Sequence, residues 1–486
     1  MQKVISFAYR TVAVIGLLAV TVYFVRALDA RRFPPLGPEH RIHFEQEFTA
    51  RMEEETSWAD YLQIEERLGA ELSDSIDAES RRGNLLDRYA PDSIVSPSQF
   101  AGDWNRSYEL RAAAPGGAAV MLHGLSDSPY SMLHTAQAAV GNGFNVVVPR
   151  LPGHGFAVSG LLQVGWDDWA AAMRVAIRRA VTLKQPDEPL LLVGYSNGGL
   201  LAVDYALRCG SDESLPCPDR IILLSPAIAV SPAAAFASLH RAVSWTPYFE
   251  KFKWLSVLPE IDPFKFTSFP KHAAWEIRKA AIRTNKLLAD PARIANLPPI
   301  LTFQSVVDNT VRSDAVIHSL YGRLPANGSK LVIYDVNRNN TIVQLMRRMP
   351  DDPVEEFLER APLNYDVGLF RNHSGDDVAV DFSVLAAGAT EFAAQSTGLR
   401  WPLGVYSLSH IAIPFPAIDP LYGDGSNSGG SSAGVALGAL APRGELGVLW
   451  LTPAWFLRTR FNPFFGLQAR TTYEWLNQPL ESEPAQ

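Results

Sequence analysis

The stretch Leu190-Leu-Leu-Val-Gly194-Tyr195-Ser196-Asn197-Gly198-Gly199 places a serine in a G-x-S-x-G turn at the end of an apolar run. A serine hydroxyl is a poor nucleophile at its ordinary pKa and attacks only when a base is held beside it. A tight turn from strand to helix serves that end, because it thrusts the Ser196 side chain out at the carboxyl end of a sheet. Gly194 and Gly198 leave room for the crowded bend, and Gly199 lets the following helix sit close. The next segment, 200–208, spaces its apolar side chains for that helix. Nucleophilic attack by Ser196 is the chemistry expected; a glycine-rich loop without chemistry is the alternative.

Such a turn needs a sheet behind it, and the chain turns α/β from residue 105. Ala118–Leu122 reads as a buried strand running into His123-Gly124-Leu125-Ser126-Asp127. A helix over 132–140 and the strand Phe144–Pro149 follow, then the turn Leu151-Pro-Gly-His-Gly155 and a helix over 166–181. Strands at 190–193 and 220–224 complete the first part of a core expected over 105–227. Strands alternating with helices imply a mainly parallel central sheet with helices on both faces. Residues 228–297 break the rhythm as a helical, aromatic-rich segment with no clear strand. The core resumes over 298–335, with strands at 299–308 and 330–335. Residues 336–400 look irregular and long enough to be an insertion. Strand character returns at Gly404–Phe415 within a C-terminal part of the core, 401–486, where Tyr422–Gly434 reads as a flexible Gly/Ser loop.

The N-terminus has a different composition. Thr11–Val25 is uninterrupted and uncharged, with Lys3 and Arg10 before it and Arg26, Arg31 and Arg32 after it. The favoured reading is an uncleaved signal anchor over 1–30, a single membrane-crossing helix; the alternative is a cleaved signal peptide. Residues 31–104 then form a linker and helical extension, with an amphipathic helix over 44–72. The two cysteines, Cys209 and Cys217, bracket a turn-rich loop and either close a small disulfide or remain unrelated thiols. A disulfide, with the anchor, puts the globular part on the periplasmic or extracytoplasmic side. At 486 residues, 47% hydrophobic and 19% charged, the chain can bury a sizeable core. A net charge of -8 without a basic aromatic patch gives no support for nucleic-acid binding. Metal-ligand spacings such as C-x-x-C or H-E-x-x-H are absent, and nothing speaks to oligomeric state.

Four separated motifs carry a family resemblance: His123-Gly124 after a strand, Leu151-Pro-Gly-His-Gly155, the turn at Ser196, and Asp308-Asn-Thr-Val311 after a strand. Together they make the chain resemble the α/β-hydrolase superfamily, at the branch of monoacylglycerol lipases, lysophospholipases and serine aminopeptidase-type hydrolases. That resemblance implies the α/β-hydrolase fold, no cofactor, and a triad in the order serine, acid, histidine. Asp308 matches the acid; its alternative is a helix cap. Of the histidines that follow, His318 falls on a helix surface, His373 in a polar turn, and His410 after an apolar run. A histidine after a final strand is the family's arrangement, so His410 is the expected base and His373 the substitute. By the same resemblance the backbone N–H groups of Leu125 and Asn197 form an oxyanion hole. His123 and His154 then shape their turns rather than react.

Segment 228–297 falls where the family places a lid. Trp245, Phe249, Phe252 and Trp254 on it either bind a lipophilic substrate or form the lid's own core. The function expected is a membrane-anchored serine hydrolase cleaving carboxylic esters, lipophilic or lipid-derived, through an acyl-serine. An amidase, peptidase or acyltransferase on the same fold, or a binding protein that kept the fold without the chemistry, are the alternatives.

Overall fold

The computed structural model describes residues 2–212, 214–229, 247–308, 310–336, 338, 352–373, 378–401, 407–408, 410–426 and 458–479. Ten strands form one sheet: β1 (Tyr108–Leu110), β2 (Gly117–Leu122), β3 (Phe144–Val148), β4 (Leu190–Tyr195), β5 (Arg220–Leu224), β8 (Ile300–Ser305), β9 (Lys330–Asp335), β10 (Asp366–Asn372), β11 (Ala379–Leu385) and β12 (Ala393–Arg400). Their spatial order is β1-β3-β2-β4-β5-β8-β9-β10-β11-β12. The run from β3 to β10 is parallel, while β1 and the β10–β11–β12 end are antiparallel. Register brings Leu122 opposite Gly194 and Tyr195 opposite Leu224, so β2, β4 and β5 end at one level.

Side-chain alternation divides the core between the two faces of the sheet. Val120, Leu192, Leu223 and Ile333 point into one cluster, shared with α4 (Trp166–Val181) and α5 (Asn197–Cys209). Met121, Val193, Ile222 and Val332 point into the other, shared with α3 (Leu133–Gly141) and the helix Phe465–Leu476. The extension joins the first cluster through α2 (Trp58–Ser75), which buries Trp58, Tyr61, Ile64 and Leu68. That helix starts later than the pattern over 44–72 suggests. Ser57 caps it by accepting the Asp60 N–H at 3.2 Å, and a short turn, Ala50–Glu55, precedes it.

Several expectations about elements need correction. Residues 336–400 are not irregular over their described part: the helix Pro353–Arg360 is followed by β10, β11 and β12, which widen the sheet. Segment 228–297 contains two short strands, β6 (Trp254–Ser256) and β7 (Phe269–Pro270), paired with each other, before α6 (Lys271–Leu287) and α7 (Pro291–Ala295). Of the strand expected over Gly404–Phe415, the described residues hold Ser407–Leu408 (β13), paired with Arg458–Thr459 (β14) apart from the main sheet, and a short turn at His410–Ala412; residues 404–406 and 409 lie outside the described residues. Tyr422, placed at the start of a flexible loop, is buried; residues 427–434 of that loop lie outside the described residues.

At the N-terminus α1 spans Gln2–Asp29. Its part from Ala13, running on to Arg32, is 20 residues with a mean hydropathy of 1.8, long and apolar enough to cross a membrane, as an anchor or a signal sequence would be. Cys209 and Cys217 are joined in a disulfide.

Candidate active site

Beyond β4 the chain bends sharply. Ser196 sits at φ 51° and ψ −109°, its N–H donating to the Leu224 carbonyl at 2.9 Å. Its own carbonyl accepts from Ala227 at 2.9 Å and Leu200 at 3.2 Å. A non-glycine residue there carries strain of roughly 1–3 kcal/mol, which persists only where surroundings enforce it. Ser126 (φ 66°) and Ser225 (φ 42°) share this property, and they are the remaining positive-φ non-glycine residues among those described. All three lie just beyond the level carboxyl ends of β2, β4 and β5, so backbone strain is concentrated in one place. The glycines behave as the sequence suggests. A Cβ on Gly194 would meet the Gly198 carbonyl, and one on Gly198 would meet that of Leu122.

Asn197 opens α5, so its N–H belongs to the first turn, whose donors lack helical partners and carry the positive end of the helix dipole. Leu125 lies in the turn after β2. Among the described residues, neither the Asn197 nor the Leu125 N–H donates to a backbone acceptor. The buried Asn197 side chain also lacks a hydrogen-bond partner among them, a feature the sequence did not announce.

Asp308 lies three residues beyond β8, and His410 opens the short turn His410–Ala412. Their side chains meet, with His410 Nδ1 3.4 Å from Asp308 Oδ1. The same Oδ1 accepts the N–H groups of Thr310 at 2.9 Å and Val311 at 3.1 Å. Burial pushes the Asp308 carboxyl up, but the His410 imidazole and these amides outweigh it and hold the pKa below its ordinary value. The His410 ring lies 6.4 Å, centroid to centroid, from Tyr195, the residue before Ser196. The other histidines are elsewhere: His373, 53% exposed, pairs with Asp381 at 2.6 Å, and exposed His318 lies 3.3 Å from Glu356.

His123 and His154 brace the turn below. The Leu151 N–H donates to His123 Nε2 at 2.9 Å, so His123 Nδ1 carries the proton and donates to the Gly124 carbonyl at 2.9 Å. Burial drives the His123 pKa well below its usual range and His154 down to about 3, so both rings are neutral. His123 ties Gly124 to Leu151, and His154 Nδ1 lies 3.1 and 3.0 Å from the Leu151 and Pro152 carbonyls, so both rings pin the turn at 151–155.

A cavity of about 220 Å³ opens beside this cluster. Ser126, next to Leu125, and Ile411, next to His410, both line it. Phe266, Phe269 and Phe415 supply apolar wall, while Asp127, Asp262, Lys265 and Tyr422 supply polar groups. Lys265 Nζ lies 2.6 Å from Asp127, and Tyr422 donates its hydroxyl to Asp262 at 2.6 Å. Burial raises the Asp262 pKa.

Of the lid aromatics expected to bind substrate, the three that are described do not line this cavity. Trp254 is buried in the main core, edge-on to His40 at 5.0 Å. Phe252 and Phe249 pack against the end of α1. Trp245 lies outside the described residues. For the three that are described, packing within the fold is the observed role. Ser126 and Asp127 extend a motif the sequence displays, but Asp262, Lys265 and Tyr422 carry no local signal, because only tertiary structure gathers them.

The sequence pattern of the alpha/beta hydrolase family matches residues 119–361. A thermostable monoacylglycerol lipase of Bacillus sp. (strain H-257) is 31% identical over 87 residues, which are 18% of this chain and 34% of that enzyme. The chain thus spans about a third of the length of that curated relative. Among solved structures, the monoacylglycerol lipase of Paleococcus ferrophilus aligns at 19% identity over 45% of this chain and 84% of its own, with a TM-score of 0.34. A soluble variant of monoglyceride lipase from Saccharomyces cerevisiae, solved with a substrate analogue, aligns at 13% identity over 47% of this chain and 81% of its own, with a TM-score of 0.38.

Proposed function

We propose that this chain, which belongs to the alpha/beta hydrolase family, is a membrane-anchored serine hydrolase that cleaves lipophilic carboxylic esters. The observation that carries the reading is the meeting of His410 with Asp308 beside Tyr195, next to a serine held in a strained turn. Ser196 Oγ attacks the ester carbonyl carbon while His410 Nε2 takes its proton. Asp308 keeps the imidazole in the tautomer with Nδ1–H and stabilises its charged form. The N–H groups of Leu125 and Asn197 receive the oxyanion of the tetrahedral intermediate. Collapse breaks the bond to the alcohol oxygen, which leaves with the proton from His410. Water, deprotonated by the same ring, then releases the carboxylic acid and restores Ser196.

Support for a lipophilic ester comes from the phenylalanine wall of the cavity and from the local likeness to a monoacylglycerol lipase. The apolar helix supports anchoring, and the Cys209–Cys217 disulfide supports an oxidising, extracytoplasmic compartment. Turnover of p-nitrophenyl esters by two histidine variants tests the assignment. His410→Ala is expected to lose about a thousandfold or more in kcat, and His373→Ala to stay within about twofold. The reverse pattern would move the base to His373.

A further inference from the structure

We propose that the lid segment Pro247–Lys253 and the end of α1 form one surface seated on a phospholipid bilayer, from which substrate reaches the cavity. This rests on the serine-hydrolase reading above. The two segments are clamped together. Phe252 covers Ala27 and Ala30, which are 0% and 5% exposed, and its ring stands edge-on to Tyr23 at 5.3 Å. Lys251 Nζ donates to the Phe33 carbonyl at 2.5 Å and approaches that of Arg31 at 3.4 Å. Arg41, beyond the helix, grips the Glu250 carboxylate through Nε and Nη2, each at 3.0 Å. Lys271 Nζ lies over the Phe252 ring, 3.3 Å from its centroid.

The helix says what partner the surface meets. From Val14 to Leu28 its large apolar side chains are open, Leu17 at 68% and Val22 at 60%. A continuous apolar surface of this size is matched by lipid rather than water. Charge begins at Arg26, and Ala27 to Ala30 lie within about 8 Å beyond Val25 at a rise of 1.5 Å per residue. That distance is comparable to the polar region of one leaflet, roughly 5–7 Å. The clamp therefore sits at headgroup level, where Arg26, Arg31 and Arg32 suit phosphate groups.

The same lid segment continues into the cavity wall. Pairing of β6 with β7 closes the stretch that carries Ile261, Asp262, Lys265 and Phe266, so the wall is held independently of the clamp. Docking the lid on the helix keeps the cavity beside the bilayer, and releasing it leaves the helix joined to the body only through Phe33-Pro34-Pro35, ahead of Leu36 in the main core.

The test reconstitutes the full chain in phosphatidylcholine vesicles containing phosphatidylglycerol. It compares a long-chain monoacyl ester carried in the bilayer with water-soluble p-nitrophenyl butyrate. Phe252→Ala and Ala27→Trp open the clamp from opposite sides. Each is expected to lower the bilayer rate by about tenfold relative to the soluble rate, because orientation toward the substrate is lost. Equal loss on both substrates, or loss on neither, overturns the proposal. A wild-type protein inactive on both would instead overturn the hydrolase reading on which it rests.

Discussion

Leu224, Ala227 and Leu200 hold Ser196 in a backbone conformation that an unconstrained serine would leave, and the His410 ring lies 6.4 Å from that of Tyr195, the residue before it. Much of this was legible locally, since Ser196, His123, His154 and Asp308 stand in short motifs whose glycines and flanking strands report their geometry. His410 was legible only through chain order. Asp262 and Tyr422 were not legible at all, because residues 160 apart in sequence make their contact. His154 carries a prediction at this scale. Burial lowers its pKa to about 3, so as acid is added the unfolded chain takes the proton first, near pH 6.5. Stability therefore falls as pH drops from about 6.5 toward 3, by about 1.4 kcal/mol per pH unit for this one proton. Urea unfolding across that window should show a shallower fall in His154→Gln than in wild type. His123 keeps part of the slope in both proteins, and an identical slope would show that His154 is charged in the fold.

Strands reveal themselves in sequence when both faces are buried. Arg220–Leu224 and Lys330–Asp335 were read with their observed bounds, because each is a compact apolar run in the middle of the sheet. Ala393–Arg400 escaped because its side chains are mostly exposed at a sheet edge, leaving no apolar alternation to find. The N-terminal extension shows a second kind of element, one that looks peripheral and is built into the core. Glu47 accepts two hydrogen bonds from the fully buried Arg150 guanidinium, at 2.9 and 3.1 Å, and also the Gly153 N–H at 2.9 Å. Glu65 lies 3.3 Å from Arg150 Nε, with its pKa raised by burial. Glu47→Ala strands that guanidinium without its two-pronged partner, so denaturant titration should show a loss of about 3–5 kcal/mol. A loss under about 1 kcal/mol would mean that the pair behaves like a solvated surface bridge.

Over the whole molecule, the sheet sets Ser196 and Asp308 beyond the ends of two of its strands, and His410 from a distant stretch of chain meets Asp308. The apolar helix and disulfide bear on where that site works; the fold bears on what it does. Membership of the alpha/beta hydrolase family sets the framework, while the chemistry rests on whether Ser196 is a nucleophile activated by His410. A fluorophosphonate, which is attacked by activated serines, reads this directly when the labelled protein is digested and its peptides are weighed. The expected result is one adduct, on Ser196, absent from Ser196→Ala and formed far more slowly in His410→Ala. No adduct on wild type, or one mapping to another residue, would contradict catalysis at this serine.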